Sequence, residues 1–324
     1  MSDIVISVIC QTYNHEKYIR NCLDGFVNQR TSYKYEVLIN DDASTDRTPM
    51  IIKEYEKKYP TIIKAFYQTE NQYSKGKSIF RDILKPYTKG KYIAFCEGDD
   101  YWCDEGKLQT QIEFLEHHPE YSGIVHNTRI VDENNKGNEL CFYGKTRDIE
   151  SLNSMLDFPH TSSYVLRNPF IQTVPDLRQA AESISYWDKS YALYMMKTGK
   201  IRYIDNIMSC YRYISNSGTS YQARMKRSNM TEMKIGAELS HYTQIKKYAL
   251  PIDLAPHYYR NVCDYALRFY INNPSNENKR LLNLAFEKSP FSTTGFFLYE
   301  IKNIPHNILL KIKSFVKMTL FGGI

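Results

Sequence analysis

Three short apolar runs each stop abruptly at polar or acidic residues. "ISVIC" precedes Gln11, Thr12, Tyr13 and Asn14; "EVLI" precedes Asn40, Asp41 and Asp42; "YIAFC" precedes Glu97, Gly98, Asp99 and Asp100. Runs this short, rich in β-branched and aromatic residues, read as strands buried on both faces. Between them the period becomes helical. Tyr18/Ile19, Cys22/Leu23 and Phe26/Val27 repeat at i, i+4, with Asn14 as a candidate cap. "STDRTP" starts a second helix, with Pro49 in its first turn and Ile51, Ile52, Tyr55 and Tyr59 inward. "IIKAFYQ" reads as a further strand, and a helix near 77–85 ends at Pro86. Strands alternating with helices predict an α/β chain with a doubly wound, mostly parallel sheet flanked by helices. Ligands of such sheets bind beyond the carboxyl ends of the strands, where all three polar segments would gather.

Downstream the pattern is mixed. "YSGIVHN", "HTSSYVLR" and "KIRYIDNIMSCYRY" read as strands, and Tyr186–Lys197 as a helix stopped by Gly199. Beyond about residue 224 the chain reads as helical, with breaks at Pro251, Pro256, Pro274, Pro290 and Pro305. The expected organisation is a domain over 1–222 and a helical C-terminal extension over 223–324.

Charge narrows the function classes. Of the net +6, four positive charges sit in the last 24 residues, at Lys302, Lys311, Lys313 and Lys317, with no acid among them. The remainder is near neutral, which argues against a nucleic-acid surface. The seven cysteines include no CxxC pair, and Cys10, Cys96 and Cys210 lie in apolar runs, so reduced thiols in a cytoplasmic protein are expected. The opening "MSDIVISVIC" has neither a basic n-region nor a cleavage site, so export is not expected. No run of about 18 apolar residues signals a spanning helix.

The acidic clusters carry the chemistry. "EGDD" directly after a strand fits a divalent-cation site, because Mg²⁺ and Mn²⁺ take one or two carboxylates plus substrate phosphates. A solvated acidic turn is the bland alternative. In "NDDAST", Asp41 and Asp42 could accept from a base N–H or from ribose hydroxyls, or only shape a turn, with Ser44 capping the next helix. A phosphoacceptor pocket of the receiver type also sets a DD pair after a strand, but its usual downstream partners are not evident. Tyr13 offers a stacking surface, with Thr12, Asn14 and Glu16 as polar contacts; His15 reads as a surface residue at a helix start rather than a metal ligand.

Taken in order, "ISVICQTYNHEKYIRNCLDGFVNQ", "EVLINDDASTD" and "KGKYIAFCEGDDYW" resemble glycosyltransferase family 2, of GT-A fold and bacterial surface-polysaccharide type. The likeness covers residues 4–120 closely and 155–220 loosely. Two departures stand out: Gln11 replaces the usual proline, and Glu97 replaces the first Asp of the DxD motif. The resemblance implies a nucleotide-sugar donor, UDP-linked, and Mn²⁺ or Mg²⁺ as cofactor. It places Thr12, Tyr13, Asn14, Glu16, Asp41 and Asp42 at the donor, with Asp42 at the base. Glu97 would face the ribose or a metal-bound water, Asp99 would hold the metal, and Asp100 would support it. The implied reaction is inverting transfer to a glycan or lipid-linked acceptor. Asp188 in "ISYWDKSY" fits the catalytic base, with Glu182 in reserve, although an acid in a first helical turn is also simply dipole-stabilised. Trp102, His160 and Trp187 are acceptor-side candidates, with core or structural roles as the competing reading, and Arg212 is a candidate diphosphate contact.

Residues 306–321 place Ile308, Leu309, Ile312, Phe315 and Val316 at helical spacing. About 14 helical residues rise about 21 Å, short of the roughly 30 Å hydrocarbon core. The segment reads equally as an interfacial helix at the inner face of the cell membrane and as a helix docking on a sheet or a second copy. Two other functions compete. A non-catalytic nucleotide-sugar-binding regulator would share the scaffold; a nucleotidyltransferase would need a glycine-rich basic loop that "CQTYNHEK" lacks.

Overall fold

The computed structural model describes residues 4–141, 145–149, 159–170, 187–213 and 262–289. The chain divides into two compact units, Met1–Asn229 with Gln244–Ile252, and Met230–Thr243 with Asp253–Ile324. The expected segment 306–321, and Glu182, lie outside the described residues. No described helix is long and apolar enough to cross a membrane.

In the first unit, β1 (Ile6–Thr12), β2 (Tyr35–Asp41), β3 (Ile63–Tyr67) and β4 (Tyr92–Phe95) are parallel, in the spatial order β3-β2-β1-β4. β1, β2 and β4 are buried on both faces, whereas the edge strand β3 buries only Ile63 fully; α1 (Ile19–Val27) connects β1 to β2 and α2 (Thr48–Lys58) connects β2 to β3. Ile19, Cys22, Leu23 and Phe26 form the inward stripe of α1 read from the sequence. Asn14 does not cap this helix: the N-cap position is Tyr18, which makes no side-chain cap bond. The stretch expected as a helix near 77–85 is a π-helical turn, Phe80–Leu84, running into a 3₁₀ turn that contains Pro86.

Beyond β4 the sheet becomes mixed. β9 (Val165–Arg167) inserts antiparallel between β4 and β6 (Tyr121–Val131); β6 pairs parallel with β10 (Lys200–Arg212), and β5 (Tyr101–Trp102) pairs antiparallel with β10. Two short strands, β7 (Glu139–Leu140) and β8 (Arg147–Ile149), attach to β6 and β10. The mostly parallel sheet foreseen is borne out, since β1–β4 and the long β6–β10 ladder are parallel and the antiparallel ladders are short. The helix α3 (Lys107–His117) packs its Leu108, Ile112 and Leu115 into the same core, and α4 (Trp187–Thr198) leads directly into β10. The second unit's described residues form a helical pair, α5 (Asp264–Asn272) and α6 (Asn276–Lys288), the latter capped by the Ser275 hydroxyl accepting from the Asn278 N–H.

Lys107 is fully buried at the start of α3. Its ammonium donates to Gln111 Oε1 at 2.7 Å and lies 4.2 Å from the Trp102 ring centre. Burial pulls its pKa down from 10.5 to about 7. The unfolded chain therefore binds more protons than the fold between those values, and stability contributed at Lys107 rises with pH across that window. We expect the stability difference between Lys107→Met and wild type to move in favour of wild type as pH rises from 7 to 8.5. Urea denaturation across that range checks it, with a slope of up to about 1.4 kcal/mol per pH unit.

Candidate functional site at the carboxyl edge of the parallel strands

The strand register assembles the site. Thr12 pairs with Asp41, so β1 and β2 end level. The Asp42 N–H then donates to the Thr12 carbonyl, and the Gly98 N–H to the Gln11 carbonyl, which brings all three polar segments to one edge. Gly98 is required there. A Cβ on it would sit 2.6 Å from Thr12 Oγ1 and 3.0 Å from His15 Nδ1.

The first two loops lock each other. The Asn14 N–H donates to Ser44 Oγ at 2.8 Å, while Asn14 Oδ1 accepts from the Thr45 N–H at 2.8 Å. The His15 N–H donates to Thr48 Oγ1, the Glu16 N–H to Asp46 Oδ2, and Glu16 Oε2 accepts from the Arg47 N–H. Asn14 itself has φ 56° and Ala43 φ 62°, so both loops turn through left-handed residues. Asn14 and Glu16, expected at the donor, thus spend these oxygens on the loop joint, because backbone N–H groups at the two turns need acceptors.

The two acids after β2 differ. Asp42 accepts from the Gln72 N–H at 2.7 Å with one oxygen and from the Tyr73 N–H at 3.0 Å with the other. That bonding fixes the turn over 72–75 and uses one acceptor site on each Asp42 oxygen. Asp41 accepts from the Ser44 N–H with Oδ2, while its buried Oδ1 has no partner. Burial raises its pKa, against the Ser44 hydrogen bonds that lower it.

The "EGDD" turn is anchored from the other side by Arg212, which is 3% exposed. The Arg212 N–H donates to Asp100 Oδ1 at 2.8 Å; its Nε donates to the Asp99 carbonyl at 2.8 Å and its Nη1 to the Asp132 carbonyl at 3.0 Å. The guanidinium lies 4.5 Å from the Tyr18 ring centre and 5.6 Å from that of Tyr101. Arg212, the expected diphosphate contact, is in this fold a buried tie between β10 and the turn, with Nε and Nη1 on carbonyls. Asp100 is buried, and burial together with the Asp99 charge drives its carboxyl well above the usual range. Asp99 points the other way: its Oδ2 is 3.8 Å from His15 Nε2, and its Oδ1 is buried with no partner.

The acceptor-side candidates separate. Trp102 is core rather than a sugar-facing wall: it is 3% exposed, its ring edge meets Phe26 at 4.9 Å, and its Nε1–H donates to the Ser162 carbonyl. His160 does reach the site, with Nδ1 3.7 Å from Asp100 Oδ2 and its ring stacked on Tyr211 at 4.2 Å. Burial lowers its pKa to about 4. Asp188 and Trp187 lie in the first turn of α4, with their side chains outside the described residues. His15 was missed as a site residue by sequence reasoning. The available signal was its place two residues beyond Tyr13, in a loop that must fold over a strand end.

The donor set can be tested against a divalent cation. No three His, Cys, Asp or Glu among the described residues converge as a self-sufficient metal cage. The unpaired Asp99 oxygen instead suits a cation that takes one or two protein groups and completes its shell with substrate phosphates and water.

The sequence profile described as Glycosyl transferase family 2 matches residues 7–173, just over half of the chain. An uncharacterized protein of Mycobacterium tuberculosis is 40% identical over 174 residues, covering 52% of this chain and 49% of that one. The chain thus matches about half the length of that relative. The Escherichia coli enzyme UDP-Glc:alpha-D-GlcNAc-diphosphoundecaprenol beta-1,3-glucosyltransferase WfaP is 35% identical over 112 residues, 35% of this chain and 41% of that protein. The crystal structure of S. aureus TarS 1-349 in complex with UDP-GlcNAc superposes with TM-score 0.59 at 19% identity, covering 87% of this chain and 80% of that one. That likeness is one of GT-A fold.

Arg212→Met removes the guanidinium while leaving its backbone N–H on Asp100. Stripping buried carbonyls of charged donors should cost roughly 2–3 kcal/mol of stability, read by urea denaturation, whereas Arg202→Met at the rim should cost under about 1 kcal/mol.

Proposed function

Since the chain belongs to glycosyl transferase family 2, we propose that it moves a sugar from a nucleotide-sugar donor to a hydroxyl of a glycan or lipid-linked acceptor, inverting the anomeric centre. The observation that carries this reading is the gathering of buried, unpartnered oxygens at one sheet edge: Thr12 Oγ1, Asp41 Oδ1 and Asp99 Oδ1. Each such atom costs about 1–3 kcal/mol unless a ligand satisfies it. A nucleoside diphosphate has the complementary groups. Base N–H and ribose hydroxyls suit Asp41 and Thr12, the base suits the Tyr13 ring, and the diphosphate with its cation suits Asp99. Asp42 and Asn14 shape the loops around the donor, and Glu97 takes the ribose side.

A bound Mn²⁺ or Mg²⁺ would offset the charge that grows on the departing diphosphate. The chain's own groups do the rest. Asp99 orients the diphosphate end, and Asp100 and Arg212 hold Asp99 in place. Asp188, in the first turn of α4, accepts the acceptor hydroxyl's proton as that oxygen attacks from the opposite face of the sugar. His160 and Trp187 belong to the acceptor side. A UDP-linked donor and a diphospholipid-linked acceptor are the first to try, because WfaP is named for both. Such an acceptor would give residues 306–321 a purpose at the cytoplasmic membrane face. This reading assigns catalysis to 1–222, leaving 223–324 for membrane contact or self-association.

Donor turnover tests the proposal. A panel of UDP-sugars with Mn²⁺ should show transfer or slow hydrolysis by wild type. Asp99→Asn should lose about 10²–10³-fold. Asp188→Asn should lose about 10²–10⁴-fold in kcat while still binding UDP. Tight UDP-sugar binding with no turnover by wild type would instead indicate a non-catalytic sugar-nucleotide sensor.

A further inference from the structure

His15 is placed unlike a surface residue. It follows the β1 strand end, its side chain is 18% exposed, and Gly98 lies beneath its ring. Its Nε2 stands 3.8 Å from Asp99 Oδ2, whose own side chain is 19% exposed. That gap is too long for a direct hydrogen bond. It is also too short to seat a bridging water with two ordinary hydrogen bonds in line. Two ligands of a single ion, each about 2.1 Å away, lie about 3.0–3.6 Å apart at angles of 90–120°. The His15–Asp99 pair therefore comes within a few tenths of an ångström of a two-point grip on one cation.

The surrounding atoms fit the same arrangement. His15 Nδ1 is buried without a partner, and so are Thr12 Oγ1 and Asp99 Oδ1. Both Thr12 Oγ1 and His15 Nδ1 border the space that a Cβ on Gly98 would fill. A ring held through one nitrogen commonly donates the other N–H to a nearby oxygen, and Thr12 Oγ1 is the adjacent unsatisfied acceptor. The backbone of the loop is already fixed by the His15 N–H bond to Thr48 Oγ1, so the ring needs little reordering.

We propose that His15 is a second protein ligand for the donor's divalent cation, gripping it through Nε2 beside the Asp99 carboxylate and joining the loop after β1 to the turn after β4. The inference rests on the donor-site reading above and adds to it a nitrogen ligand and a metal preference. One imidazole in the shell favours Mn²⁺ over Mg²⁺, which prefers all-oxygen surroundings.

Electron spin-echo spectroscopy of the full chain with Mn²⁺ and UDP tests it directly. The expected result is a ¹⁴N modulation from a directly bound imidazole, lost in His15→Ala and retained in His160→Ala. Mn²⁺ titration in the presence of UDP should show affinity weakened about 10- to 100-fold in His15→Ala, with a smaller loss for Mg²⁺. Unchanged thermal unfolding without metal establishes that His15→Ala is folded. A wild-type spectrum without ¹⁴N coupling, or coupling that persists in His15→Ala, overturns the proposal. Asp99→Ala separates the two readings. If it abolishes Mn²⁺–UDP binding while His15→Ala does not, the ligand role of His15 fails and the donor site stands; if neither matters, both fail.

Discussion

Arg212 closes the strand-end edge from the far side of the sheet. Its backbone N–H holds Asp100, its Nε holds the Asp99 carbonyl, and its Nη1 holds the Asp132 carbonyl. Tyr18 and Tyr101 lie within 6 Å of the guanidinium on their ring centres, which gives the cation partners that are not carboxylates. The consequence is directional. With Asp100 drawn inward and the Asp99 backbone pinned, the Asp99 side chain is turned toward His15. Three acids in four residues would otherwise repel one another in solvent. Here Asp100 is buried with its carboxyl pushed toward the neutral form, which relieves the repulsion on Glu97 and Asp99.

The scaffold beneath this turn is polar as well as apolar. Ser162 and Thr128 each share a hydrogen bond with Ser209, Gln111 donates to the Ile124 and Ser163 carbonyls, and Lys107 donates to Gln111. These bonds connect α3, β6, β10 and the 3₁₀ turn Thr161–Ser163 behind Trp102. A buried network of this kind rigidifies only if its members are satisfied. His126 Nε2 and Ser163 Oγ are buried without partners, so the network carries residual cost close to the site. Burial also holds His126 neutral, with its pKa well below the ordinary imidazole value.

Much of the first half was legible in the sequence. The three apolar runs are β1, β2 and β4, which end at Thr12, Asp41 and Phe95, because short unbroken apolar stretches of this kind are buried on both faces. The stripe on α1 and Pro49 in the first turn of α2 were equally plain. Less legible was the mixed half of the sheet. The antiparallel insertion of the three-residue β9 between β4 and β6 depends on contacts between residues about 40 to 75 apart in sequence, and no local period encodes it. Trp102 was misread for a related reason: an aromatic beside an acidic motif looks exposed until Phe26, Lys107 and Ser162 are seen to enclose it.

By itself the sequence determined that acids and an aromatic would stand at the carboxyl edge of parallel strands, since strand direction and helical connections follow from periodicity alone. Only the tertiary structure decided what each acid does. Asp42 and Asp41 are adjacent and chemically identical, yet one is tied to the Gln72 and Tyr73 N–H groups and the other keeps a bare oxygen. Asp99 and Asp100 divide in the same way, because successive side chains of a turn leave on different sides and Arg212 waits on only one of them. His15 changed most. In the sequence it was a residue at a helix start; in the fold it faces Asp99 across 3.8 Å, a juxtaposition made by two loops whose residues lie 84 positions apart.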